Sequence, residues 1–196
     1  MEDNNRARMM IYIDLYNIEC ASLEYRQKGL FLDYYSLIKE LSEGYEIRGI
    51  KVYDSDSSED NSLTDFHTDL ADKGYDMNLF KPGVTKNKDG SLKMLQKEVD
   101  TSIVADSICD AYSDSADVFL IVSGDRDMCP AIKKIRGLGK RVVSVAFEAS
   151  CSECVTEESS ESFFIEDLQA MEFVSILTEE ECRNISSGSF AKEGFA

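Results

Sequence analysis

One histidine, His67, stands among the 196 residues, so acid–base chemistry that needs two imidazoles is excluded. His67 itself lies in a stretch of helical spacing and reads as a structural residue of the core or surface. There is no G-x-S-x-G nucleophile elbow and no G-x-x-x-x-G-K-[ST] phosphate loop, which removes two further classes of mechanism. Basic side chains are scarce, 21 against 38 acidic ones, for a net charge of −17. That balance opposes indiscriminate attraction to nucleic-acid phosphate. No apolar run approaches the roughly 18 residues of a membrane span. The opening MEDNNRARMM is charged and leads straight into an apolar run, unlike a secretory leader. The six cysteines form no dense framework, so reduced thiols in a cytoplasm are expected. Cys20, Cys109 and Cys129 then read as small buried apolar residues. The chain has no internal repeat.

What is present is an alternation of strand and helix signals in a chain long enough for one domain with a substantial core. Met9 to Ile13 is a short apolar run suited to a buried strand. Phe31 to Leu41 carries Tyr34, Leu37, Ile38 and Leu41 at helical spacing, with Asp33 as N-cap and Gly44 as stop. Ile47 to Tyr53 reads as a strand, Ser62 to Lys73 as a helix stopped by Gly74, and Tyr75 to Phe80 as another strand. Residues 83–93 are polar and rich in lysine, and read as a mobile loop. A helix follows from Lys97 to about Tyr112. Val118 to Val122 is the most hydrophobic strand and belongs at the centre of a sheet. Pro130 opens a short helix that Gly139 ends. Arg141 to Val145 is a further strand, and Ser162 to Ile165 a short last one. Such an order predicts an α/β fold: a three-layer sandwich around a mostly parallel sheet of five to six strands.

In sheets of this kind ligands bind beyond the carboxyl ends of strands, where strand order reverses. Asp14 directly follows the first strand, and Asp125 and Asp127 follow the strand 118–122 through a Ser-Gly turn. Asp100 sits in the first turn of its helix. If the two strands are neighbours, these carboxylates share one edge. Like charges held together raise one another's pKa, and a hard divalent cation, Mg²⁺ or Mn²⁺, removes that penalty. Phosphodiester hydrolysis suits such equipment. Asn17 can orient water or a phosphate, or simply cap the next segment. Ser123 and Gly124 can present hydroxyl and N–H groups to an anion, or merely end a strand. Asp106, six residues after Asp100, is off that helical face and reads as a supporting or surface residue. Lys81, Lys86, Lys88, Lys93 and Lys97 form one basic stretch, and Lys133, Lys134, Arg136, Lys140 and Arg141 another. Each reads equally as a local track for a nucleic-acid backbone or as solvated surface.

Three motifs in order, Asp14-Leu-Tyr-Asn17, Lys97-Glu-Val-Asp100 with Asp106, and Ser123-Gly-Asp125-Arg-Asp127, resemble the NYN domain family. That family is a branch of the PIN-like nucleases, and the LabA-like members are the nearest in pattern. Pro130, Gly139-Lys140 and the later FFIED stretch continue the likeness, which spans roughly residues 9–168. The resemblance implies a PIN-like sandwich over 1–168, with 169–196 as a partly flexible extension. It also implies a ribonuclease using Mg²⁺ or Mn²⁺ bound by Asp14, Asp100, Asp125 and Asp127, with Asn17 and Ser123 orienting water or substrate. RNA is the expected partner, with DNA, a protein partner or a second copy of the chain as alternatives. The rival reading is a non-catalytic regulatory or binding module that retains the acidic site, which the net charge favours. Cys151-Ser-Glu-Cys154 lacks a second ligand pair for zinc. The acidic stretch from Asp54 to Asp60 lacks the glycine and closing glutamate of a calcium loop.

Overall fold

In the computed structural model, which describes residues 6–56, 61–81, 83–86, 92–95, 97–170 and 176–178, the first apolar run is a strand, β1 (Arg8–Asp14). Two short helices follow it at once, α1 (Leu15–Ala21) and α2 (Leu23–Arg26). Next come β2 (Leu30–Leu32), α3 (Tyr34–Leu41), β3 (Glu46–Ser55), α4 (Asn61–Asp72) and β4 (Asp76–Phe80). A hairpin of β5 (Gly83–Lys86) and β6 (Leu92–Leu95) leads to α5 (Lys97–Tyr112) and β7 (Val118–Val122). A single 3₁₀ turn, Arg126–Met128, precedes α6 (Cys129–Gly137). The described chain closes with β8 (Arg141–Ala146), α7 (Glu153–Glu158), β9 (Glu161–Phe164), α8 (Ile165–Ala170) and β10 (Ile176–Thr178).

Six strands pair in the order β4-β3-β1-β7-β8-β9, and every pairing in that sheet is parallel. From β1 the chain builds outward through β3 and β4, then crosses back to β7 on the other side. The switch in strand order therefore falls between β1 and β7. Parallel strands covered on both faces need apolar residues at successive positions, which explains the uninterrupted VFLIV of β7, buried at all five residues.

Alternation along β1 divides the core into two layers. Met9, Ile11 and Ile13 pack with Leu15 and Ile18 of α1, Leu37 and Ile38 of α3 and Leu70 of α4. Met10 and Tyr12 face the other way, toward Val99 and Ile103 of α5 and Ala131, Ile132 and Ile135 of α6. Each fully buried aliphatic side chain contributes roughly 1.5–3 kcal/mol. The result is the α/β sandwich that the strand–helix alternation predicts. Asp33 caps α3 through the N–H groups of Tyr35 and Ser36, and Gly74 and Gly139 leave their helices at φ of 88° and 80°, where other residues are strained.

Several expectations need correction. Residues 83–93 do not form a plain loop: β5 and β6 pair antiparallel, Gly83 opposite Leu95 through Lys86 opposite Leu92. Lys88 lies outside the described residues. Of residues 169–196, expected as a partly flexible extension, β10 pairs antiparallel with β2, and residues 171–175 and 179–196 lie outside the described residues, so that expectation stands as it was. Cys20 and Cys109 are exposed rather than buried. Cys129 is buried but is bonded to Cys154 as a disulfide, because the turn before α6 brings it against α7. Among the described residues no helix is long and apolar enough to cross a membrane.

Candidate active site at the β1–β7 edge

Ile13 of β1 and Val122 of β7 are in register, so the residues that follow them emerge side by side. Asp14, the last residue of β1, caps α1 by accepting the Asn17 N–H at 3.1 Å. Its other oxygen accepts the Ser123 hydroxyl at 2.9 Å. Both side chains are sealed from solvent, Asp14 at 2% exposure and Ser123 at 0%. The Ser123 Oγ also accepts the Asp125 N–H at 3.2 Å, and Asp125 Oδ1 accepts the Asp127 N–H at 2.8 Å. Across the gap, Asn17 Oδ1 accepts the Gly124 N–H at 3.0 Å. Two hydrogen bonds thus tie the turn after β7 to the turn after β1, and three more stiffen the turns themselves.

Gly124 is required here by space. A Cβ on it would lie 2.7 Å from the Ser150 carbonyl oxygen and 2.9 Å from the Cys151 Cα. The Gly124 carbonyl in turn accepts the Ser152 N–H at 2.9 Å. The segment after β8 therefore presses on the Ser-Gly-Asp turn and fixes where Asp125 points from. The Gly124 N–H is spent on Asn17 and is not offered to an anion.

Electrostatics links the four aspartates. Burial raises the Asp14 carboxyl to about 7, against the lowering effect of its two hydrogen bonds, and the charges of Asp100 and Asp125 add to the rise. Asp100, half-buried in the first turn of α5, is pushed to about 6 by burial and by Asp125 and Asp127. Two carboxyls near neutrality in a shared field mark a place that favours added positive charge. Among the described residues no three acidic, histidine or cysteine side chains already ring a single point. The donor set still fits one class of ion. Hard carboxylate oxygens, few and partly spread, suit Mg²⁺ or Mn²⁺, which keep several waters and take one or two carboxylates.

Other expected residues fall elsewhere. Asp106 accepts the Tyr53 hydroxyl at 2.7 Å, and one turn later Asp110 accepts both the Tyr12 hydroxyl and the Lys51 ammonium. These bonds seat α5 on β1 and β3 rather than serving the acidic edge. His67 is buried, with Nε2 2.9 Å from Asp54 Oδ2, a structural pair that also removes Asp54 from any calcium loop. Of the first basic stretch, Lys81 is exposed after β4, Lys86 and Lys93 lie opposite Leu92 and Thr85 in the hairpin, and Lys97 begins α5. The second stretch is not a continuous track. Lys140 pairs with Asp114, Arg141 with Glu161, and Lys133 with Glu158 at 3.3 Å, while Arg136 donates to the Glu158 carbonyl and Lys134 lies over Tyr112.

The NYN domain family matches residues 8–167, and the match contains every element from β1 to β9. The chain belongs to the NYN domain family. NYN domains are part of the PIN-like nuclease superfamily, whose members act on nucleic acids and generally use divalent metals. This NYN domain is similar in fold to the crystal structure of a protein of unknown function from Vibrio parahaemolyticus RIMD 2210633. The TM-score is 0.69 at 22% identity, covering 90% of this chain and 100% of that one. No curated protein matches the chain.

Residues at this edge were unevenly legible in sequence. Arg126, exposed between Asp125 and Asp127, carried no motif signal of its own. The one clue was its place between two carboxylates that need a counter-charge.

Proposed function

We propose that this NYN domain is a metal-dependent ribonuclease that hydrolyses phosphodiester bonds at the carboxyl edge between β1 and β7. The observation that carries the reading is the grouping of Asp14, Asp100, Asp125 and Asp127 in one field, with two of them raised toward neutrality. These four would hold Mg²⁺ or Mn²⁺. When bound, the ion supplies charge neutralisation at the phosphate and a more acidic water. Asn17 and Ser123 act as positioning residues, since their side-chain oxygens are engaged with Gly124, Asp14 and Asp125. Asp127 is the one exposed member of the four.

Labelled single-stranded RNA incubated with Mn²⁺ or Mg²⁺ tests the reading. Cleavage is expected, abolished by chelator and reduced by on the order of 100-fold or more in Asp125→Asn, by the scale of losses at metal sites. Full activity in that variant would sink the assignment. A parallel DNA strand tests the choice of RNA. The second reading, a regulatory binding module, draws on the −17 net charge and the pairing of the α6 and β8 cations. It predicts no cleavage under any metal, with binding retained.

A further inference from the structure

Next to the acidic edge, between α5 and the start of α6, lies a groove of about 710 Å³. That volume is in the range of pockets that hold small ligands. Asp100 and Asp127 line it, so it is continuous with the candidate site. Its apolar lining comes from Val104 and Ala105 of α5 and from Pro130 at the start of α6, with the Cys129–Cys154 disulfide beside them. Its cations are Arg126 and Lys133. Arg126 is exposed and makes no ion pair with another described residue. Lys133 is exposed and meets the half-buried Glu158 at 3.3 Å, a single contact at the surface of a kind worth little in water and readily exchanged for a phosphate.

Resting on the ribonuclease reading above, we propose that this groove seats the nucleotide that flanks the scissile phosphate. Arg126 and Lys133 bind its backbone phosphates, and the base lies against Val104, Ala105 and Pro130. The charge pattern is what selects this occupant. On a chain of net charge −17, Arg126, without an ion pair among the described residues, and Lys133, held only by its contact with Glu158, stand beside a carboxylate cluster, and an anionic strand needs such a hold to approach carboxylates at all. No aromatic ring lines the groove among the described residues. The base is therefore held by apolar contact without stacking, and base identity at this position matters little.

Binding measured in chelator separates this inference from the question of catalysis. Fluorescence anisotropy with a labelled 12-nucleotide single-stranded RNA is read for the wild type, Arg126→Ala with Lys133→Ala, and Ala105→Glu. Ala105 is exposed on α5, so the glutamate adds negative charge to the groove without disturbing the core. The double variant is expected to bind about tenfold more weakly, with its salt slope reduced by about 0.7 for each phosphate that is no longer neutralised. Ala105→Glu is expected to weaken binding similarly, and Lys39→Ala, on the distant α3, to leave it unchanged. Wild-type affinity in both groove variants overturns the inference, as does a wild-type protein with no measurable binding. If binding falls as expected but Mn²⁺ produces no cleavage, the groove stands and the ribonuclease reading fails. If Asp125→Asn abolishes cleavage while the groove variants bind normally, the reverse holds.

Discussion

Asp14 combines a structural duty with a raised pKa. Its carboxylate caps α1 and holds Ser123, yet burial raises its pKa from 3.8 to about 7. A folded-state pKa above the unfolded value means that the folded protein binds the extra proton. Stability of the metal-free protein therefore falls as pH rises from about 4 through 7, and the loss is complete above 7. For Asp14 it is on the order of 4 kcal/mol at most. Asp100, raised to about 6, acts in the same direction with less force because solvent screens it. In chelator, Asp14→Asn is expected to melt higher than wild type at pH 8, on the order of 5 °C, with little difference at pH 5. Added Mn²⁺ should raise the wild-type melting temperature at pH 8 and leave Asp14→Asn nearly unmoved. Equal melting of the two proteins at pH 8 would remove the case for a strained carboxylate. Gly124 is the second critical residue: Gly124→Ala forces a Cβ against the Ser150 carbonyl. A cost of about 1–3 kcal/mol is expected, measured by denaturant unfolding, together with a loss of cleavage as Asp125 moves.

Among the elements, α6 and α7 depend on a covalent tie. The Cys129–Cys154 disulfide joins residues 25 apart in sequence, and chain-entropy arguments give about 3 kcal/mol for a loop of that size. Cys154→Ser is expected to lose about that much stability, and a reductant should lower the wild type equally while leaving the variant unchanged. Identical melts of wild type with and without reductant would show the bond contributes nothing. Most long elements were legible in sequence, since β7 is an unbroken apolar run and α5 carries Val99, Ile103 and Ile108 at helical spacing. Short ones were not. The seven-residue α1 lies directly after β1, where LYNIECA has no cap of its own apart from Asp14, a residue already claimed by the acidic site. The β5–β6 hairpin was hidden because its short lysine-rich strands lack the alternation that marks a strand packed on a core. The Cys129–Cys154 bond was hidden as well, since pairing depends on spatial approach and not on spacing.

At the scale of the whole molecule, charge is sorted between the two ends of the sheet. At the amino end of β1, Arg8 grips Asp117 and Asp114. Its hydrogen bonds hold the Asp117 carboxyl down at about 2, and Lys140 with Arg8 lowers Asp114. That end gains stability above the ordinary carboxylate range and loses it only as pH falls toward 2. The carboxyl end has the opposite sign, with acids raised and in want of a cation. Alternating strands and helices, apolar runs suited to a covered parallel sheet, and the order of the three aspartate motifs were determined by the sequence alone, because periodicity and motif spacing are local properties. The placing of β1 against β7, the sealing of Asp14 beneath Ser123, the diversion of Asp106 to Tyr53 and the opening of a groove beside Arg126 were decided only by the tertiary structure. Each depends on which strands become neighbours and which side chains lose their water, and neither is written in the spacing of residues along the chain.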